Sequence, residues 1–355
     1  MPTMHRPLHV LDVYSGAGGF SSVFAELGAR VTAVEADPVT AATWSLNVPG
    51  TVIVRRVADW LDETHPPLPV DIVVGGPPCQ GFSTLARAEY RRCWLNGELA
   101  TFARTVETVD PVLWLMEEVP TARNTDEYRA FTDRMCRAGW VVHADVLDAA
   151  DHGTPQRRRR LVTIGCRSAL GPKPADAPRH PAPTVRTAIG SLPPPETSRP
   201  WHHDRNRRYR FEGRIIPGPW RTDELHVAPR HAPEVTARYR SVPQGAYRVP
   251  PHDGRGGVDG RLQWDRPAGT VLGHMRANGF GWRIHPDQPR ALTLAERALL
   301  QGFPSHWRWC GTGPQIAVQI GNAVPLPLAR SLARLLTDAA RWVDGRELTP
   351  SGPAC

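Results

Sequence analysis

Short apolar runs alternate with polar, helix-like stretches through the first half of the chain. LHVLDVYS, ARVTAVEA, TVIV, VDIVVGG, PVLWLMEE and WVVHADVL read as strands, and segments such as FSSVFAELG and DEYRAFTDRMCRAG separate them. A strand that is apolar at nearly every position has no face to offer water. Both faces of its sheet must be covered, and connections long enough for a helix supply the cover. The pattern predicts an α/β fold with a doubly wound parallel sheet. At 355 residues, 41% of them hydrophobic, the chain can bury a large core and hold two domains.

The character changes after LVTIGCRSALG. From Pro172 to Arg261 the chain is rich in Pro, His, Arg and Gly, with weak periodicity. Tryptophans and a tyrosine in PWHHDRNRRYRFEGRIIPGPW argue for a small, loop-rich second domain rather than a disordered insert. Helical patterning returns at LTLAERALLQGF, where Thr293 can cap a helix with Glu296 three residues on, and a last helix runs from Pro325 to Val343. No apolar stretch reaches the length of a membrane span, and MPTMHRPLHV lacks the apolar segment of a signal peptide, so a cytoplasmic protein is expected. The six cysteines show no C-x-x-C pair and no metal-ligand spacing, which predicts reduced thiols and no metal site. The formal charge of +8 suits a polyanionic partner, although an arginine-, alanine- and proline-rich composition also yields it without selection for binding.

Four segments carry chemistry. LDVYSGAGGFSSVF is a strand, a glycine turn and a helix start, whose N–H groups attract electron-rich ligands; Glu35, ending the next strand, stands where a carboxylate meets ribose hydroxyls. NAD, FAD and S-adenosylmethionine sites all share these features, and a purely structural turn is the plainer alternative. GGPPCQGFS is more specific: Pro77 and Pro78 stiffen the backbone that presents Cys79 beyond a strand end, where open α/β sheets bind ligands, so a positioned nucleophile outweighs a buried cysteine. Glu117 and Glu118 end LWLMEEVP and point to opposite faces of their strand. In GTPQRRRRLVTIG an extended backbone puts Gln156, Arg158 and Arg160 on one face, and Arg157 and Arg159 on the other.

The order of GAGGF, VEAD, GGPPCQGFS, EEVP, PQRRRR, RLQWDRPAGTV and RALTLAERALLQGFP…IQIGNAVP resembles the cytosine-C5 DNA methyltransferases of bacterial type, with a single target-recognition region. The resemblance implies a Rossmann-like S-adenosyl-L-methionine methyltransferase domain over residues 1–168, completed by 291–355, and a smaller target-recognition domain over 169–290. Cys79 matches the nucleophile that adds to carbon 6 of cytosine, Glu117 the acid at ring nitrogen 3, and Arg158 and Arg160 the arginines that hold the base. Gln80, Ser83, Glu118 and Gln156 match substrate and loop support, and Arg87, Arg91 and Arg92 would lie near phosphates. Ser15, Gly16, Ala17, Gly18, Gly19, Phe20, Glu35, Ala36, Asp59, Pro78, Leu99, Asn322 and Val324 match cofactor positions. A base inside a duplex cannot meet the thiol, so the cytosine is flipped out. The implied partner is double-stranded DNA, with a cognate restriction endonuclease as a further partner, no membrane, a monomeric state and a place at the nucleoid.

The chain departs from the family in having Glu118 where an asparagine is usual, and CWLNGELATF lacks the family's Asp-x-Arg pattern. An ionised glutamate accepts hydrogen bonds but donates none. Glu118 is therefore expected to stay protonated or to pair with an arginine, and Glu118→Asn to preserve or raise methylation. Two alternatives stay open: the same chemistry on RNA or a free cytidine nucleotide, and a catalytically impaired DNA-binding relative.

Overall fold

Each of the apolar runs is a strand in the computed structural model, which describes residues 6–63, 69–78, 95–197, 207–248, 259–273 and 281–344. β1 (His9–Val13), β2 (Arg30–Glu35), β3 (Thr51–Val54), β4 (Ile72–Gly75), β5 (Leu113–Glu118), β6 (Val141–Asp148) and β7 (Arg159–Cys166) form one sheet, ordered β3-β2-β1-β4-β5-β7-β6. β1 to β5 run parallel, and the order reverses between β1 and β4. Open α/β sheets bind ligands past the carboxyl ends of the strands at such a reversal. β7 departs from the all-parallel expectation and lies antiparallel between β5 and β6. Residues 149–158 between β6 and β7 hold no crossover helix, so the chain doubles back beside its predecessor.

Both faces of the sheet are covered. The helices that follow the first five strands are α1 (Gly19–Glu26), α2 (Pro38–Asn47), α3 (Val57–Glu63), α4 (Leu95–Val109) and α5 (Asp126–Arg137). β5 shows the division: Leu113 and Leu115 share a buried cluster with Phe20, Val23 and Phe24 of α1, whereas Trp114 and Met116 share one with Phe102 of α4 and Phe131 of α5. Trp114 meets Phe102 and Phe131 edge-on, with ring centroids 6.1 and 5.6 Å apart.

The second half adds α6 (Val185–Ile189), the hairpin β8 (Arg208–Phe211) with β9 (Arg214–Pro217), β10 (Trp220–Arg221) and α7 (Pro233–Arg240). Next come the small sheet of β11 (Tyr247–Arg248), β12 (Asp259–Arg261) and β13 (Gly281–Ile284), then α8 (Leu294–Leu300), β14 (Arg308–Trp309), α9 (Gly313–Asn322) and α10 (Leu326–Asp344). α8 starts as expected: Thr293 Oγ1 accepts from the Glu296 N–H at 3.1 Å and Glu296 Oε2 from the Thr293 N–H at 2.7 Å. α8, α9 and α10 bury their apolar sides in the α1 cluster.

Packing divides the 169–290 stretch. Val185, Ile189, Trp220 and Leu225 are buried in the same cluster as the sheet, and the β8–β9 hairpin rests through Ile216 on Ala42 of α2 and Cys310. A separate small core comprises Tyr239, Val242 and Ile284. Beside it the buried Arg261 guanidinium donates to the carbonyls of Val242 (2.6 Å), His285 (2.7 Å) and Gln288 (3.1 Å). Before α7 the apolar residues are thus divided between the large core and the small cluster under the β8–β9 hairpin. Cys166 and Cys310 are free and buried. No helix among the described residues is long and apolar enough to cross a membrane.

The Trp114 indole lies against Gly165, its partner across the β5–β7 ladder, and a Cβ there would overlap the ring. Gly165→Ala is expected to destabilise the protein by about 1–3 kcal/mol through overpacking, despite the alanine's entropic advantage. A chemical denaturation midpoint checks this.

Candidate active site

The β1–α1 turn needs unusual backbone. Tyr14, Gly16 and Gly18 have φ of 58°, 55° and 92°, a region that favours glycine. At Gly18 a Cβ would press within 2.8–2.9 Å of Val48 and Trp44, whereas at Gly16 it would meet nothing within 4 Å, so the second position borders open space. The Gly16 N–H donates to Glu35 Oε2 (2.9 Å) and the Asp37 N–H to Oε1 (2.8 Å). Glu35 therefore braces the turn from β2, and burial raises its pKa. Ser15 Oγ is buried without a hydrogen-bond partner among the described residues. A buried hydroxyl left unmade beside open space fits a turn that takes a polar ligand.

The tail of the chain closes on this turn. A Cβ on Gly19 would sit 3.3 Å from the Val324 carbonyl, and Asn322, exposed at the end of α9, lies against Gly273. Of the other expected cofactor residues, Ala36, Asp59 and Pro78 are exposed near strand ends. Ala17, Phe20 and Leu99 are buried in the two large cores, so much of their surface is used in packing. Two residues escaped the sequence reading. Asp12 is buried on β1, where Oδ2 accepts the Ser21 N–H (3.1 Å) and hydroxyl (2.5 Å); burial, reinforced by the Glu35 charge, raises its pKa to about 7. Tyr14 donates its hydroxyl to Glu98 Oε2 (2.7 Å), tying the turn to the start of α4 one residue before Leu99. A strand-end Asp ahead of a glycine turn was the available signal for the first; none marked the second.

On the far side of β4 from β1, β5 and β7 carry the charged residues. Arg160 Nε lies 2.6 Å from Glu117 Oε1 in an ion pair whose geometry leaves that oxygen without a hydrogen bond. Both side chains are about nine-tenths buried. A Cβ on Gly76 would sit 3.2 Å from Glu117 Oε2, so the carboxylate abuts the backbone just before Pro77 and Pro78. Cys79, Gln80, Ser83, Arg87, Arg91 and Arg92 lie outside the described residues.

The basic run alternates as expected, with Gln156 and Arg158 buried and Arg157 and Arg159 exposed. Its members then part company. Arg158 donates to the carbonyls of Val271 (3.0 Å) and Gly321 (2.8 Å), which makes it a clamp between chain segments, while Arg160 alone of the pair reaches Glu117. Gln156, fully buried, accepts from the Val271 N–H (2.7 Å) and donates to Gln301 Oε1 (2.7 Å); Gln301 in turn donates to the Ile320 carbonyl (2.6 Å). Glu118 is 2% exposed, and its Oε2 accepts from the Val119 N–H at 3.0 Å.

The sequence profile of the family described as C-5 cytosine-specific DNA methylase matches residues 8–337. Among curated relatives, the type II methylase M.HgiDII of Herpetosiphon aurantiacus is 28% identical, covering 95% of this chain and 96% of its own. The type II methyltransferase M1.HphI of Haemophilus parahaemolyticus is 31% identical, covering 92% and 86%. Among solved structures, a DNA modification methyltransferase encoded within a prophage (E. coli) superposes with a TM-score of 0.70 at 24% identity, covering 94% of this chain and 99% of that one. The Dnmt2 methyltransferase of S. pombe gives 0.62 at 14% identity, covering 94% and 99%. These two likenesses concern the fold.

Gln156→Leu would strand the Val271 N–H and Gln301 Oε1 in the interior. It is expected to cost about 2–4 kcal/mol, against under about 1 kcal/mol for Arg157→Ala at the exposed neighbour, both read by urea unfolding.

Proposed function

Because the chain belongs to the C-5 cytosine-specific DNA methylase family and is a DNA (cytosine-5-)-methyltransferase, we propose that it takes the methyl group from S-adenosyl-L-methionine and places it on carbon 5 of a cytosine flipped out of double-stranded DNA, through a covalent adduct with Cys79. The observation that carries this reading is the Glu117 carboxylate held between Arg160 and Gly76, at the mouth of the Pro-Pro-Cys segment. Carbon 5 is a weak nucleophile until a thiolate adds to carbon 6 and converts the ring to an enamine. The Cys79 thiolate forms that bond, and Glu117, having taken up a proton in the base complex, donates it to ring nitrogen 3 as negative charge develops there. Arg160, already beside Glu117, donates to the ring carbonyl. After the carbon 5–methyl bond forms, with a thioether as leaving group, a solvent base takes the carbon 5 proton, the sulfur–carbon 6 bond breaks to regenerate the Cys79 thiolate, and nitrogen 3 returns its proton to Glu117.

The cofactor supplies an electrophilic sulfonium methyl group when bound. The residues that would hold it fit: Ser15 has a hydroxyl to satisfy, Gly16 borders open space, and Glu35 presents a braced carboxylate for ribose hydroxyls, with Asp59, Pro78, Asn322 and Val324 around the same strand ends. Arg158 and Gln156 are assigned positioning roles, since their polar groups hold Val271, Gly321 and Gln301. The 169–290 region supplies recognition of the DNA major groove, where arginine suits guanine edges. The type II names of the relatives support a place beside a restriction endonuclease of the same recognition sequence. The enzyme acts as a cytoplasmic monomer on the nucleoid.

Transfer of labelled methyl groups to genomic DNA, total RNA and free cytidine nucleotides tests the reading. DNA alone is expected to be labelled, and Cys79→Ala to lower the rate by roughly 10^3-fold or more while cofactor binding persists. Labelling of RNA or nucleotide in preference to DNA would overturn the substrate, and an active Cys79→Ala would overturn the adduct.

A further inference from the structure

Two glutamates end β5, and one arginine answers them. Successive residues alternate across the sheet, so Glu117 shares a face with its ladder partner Val162 and with Arg160, while Glu118 shares the opposite face with Leu161. Arg160 Nε lies 2.6 Å from Glu117, and the hydrogen bond recorded for Glu118 comes from a neutral group, the Val119 N–H. With 2% of its surface exposed, Glu118 has little water to stabilise a charge. The residues paired beside this strand end, Leu161 on β7 and Gly75 opposite Met116 on β4, bring no charge. Among the described residues, the charged groups that act on Glu118 are Glu117 of its own strand and, more weakly, Arg160 of β7.

We propose that Glu118 is a positioning residue that works as a neutral carboxylic acid: one oxygen accepts from Val119, the other carries the proton, and its neutrality spares the Glu117–Arg160 ion pair a second buried negative charge beside it. One acceptor and one donor is the complement an asparagine amide presents, so the departure at this position changes the side chain while keeping its hydrogen-bonding pattern. Burial first, and then the Glu117 charge, push the Glu118 carboxyl up to about 8. Above that pH a second buried carboxylate stands beside Glu117 with no ion pair of its own among the described residues, and the site loosens. The catalytic part of this inference rests on the reading of Glu117 and Arg160 as the pair that meets the base.

The sign for stability follows from proton linkage. Between the ordinary carboxyl range and pH 8 the folded protein holds a proton that the unfolded chain has lost, so stability falls as pH rises through that window and levels off above it. Thermal midpoints and single-turnover methyl-transfer rates of the wild type, E118Q and E118N, all from pH 5 to 9.5, provide the test. The wild-type midpoint should fall relative to E118Q from pH 5 to about 8. The wild-type rate should drop about fivefold for the unit of pH above 8, and by less than about twofold in E118Q, with E118N following E118Q. A midpoint difference that stays constant with pH would overturn the neutral acid. So would an alkaline loss shared by both amides, or failure of both amides to fold. A wild type that labels no DNA at any pH would instead sink the functional reading, and the melts would still decide where the proton is.

Discussion

The antiparallel pairing of β7 with β5 is the interaction on which the site depends. It sets Val162 opposite Glu117, and because β-side chains repeat every second residue, Arg160 then falls on the same face as Glu117. A slip of one residue would send Arg160 to the other side of the sheet and leave Glu117 buried without a cation. The ladder is held from both sides by packing that tolerates no slip: Trp114 occupies the space over Gly165, and Leu113 and Leu115 lie with Val162 and Ile164 in the opposite core. Structural and chemical demands are therefore met by the same register.

The second half of the chain is fastened to that sheet by amides and arginines rather than by a broad apolar interface alone. Pro155 to Arg158 run beside Ala268 to Val271, with backbone hydrogen bonds from Ala268 to Pro155 and from Arg157 to Ala268 at 2.9 and 2.7 Å. Gln156 and Arg158 extend the seam to α8 and the end of α9. Buried polar groups of this kind are costly when mismatched, so they specify a single arrangement. The arrangement brings Val324 against Gly19 and Asn322 beside Gly273, and so the far end of the chain borders the glycine turn of its beginning.

Glu35 and Glu118 illustrate two ways of keeping a carboxyl group at the rim of a sheet. Glu35 meets two backbone N–H groups and is only partly covered, so it remains available to a ligand while shaping the turn. Glu118 is enclosed, has a charged acid as its neighbour, and sheds its own charge instead. Asp12 resembles the second case, with Ser21 satisfying its carboxyl under the first turn of α1.

Apolar periodicity was enough to place all seven strands of the main sheet and the capped start of α8, because those choices are governed by local burial and by side chains three residues apart. The alternation of buried and exposed residues from Gln156 to Arg159 was legible for the same reason. Direction and partnership were not. The reversal of β7, the allotment of Trp220 and Leu225 to the large core, and the different employments of Arg158 and Arg160 depend on which distant backbone carbonyl or carboxylate comes within 3 Å. Sequence by itself determined the elements and the chemical groups at their ends; tertiary structure decided which groups meet, since long-range contact follows from packing that no local pattern records.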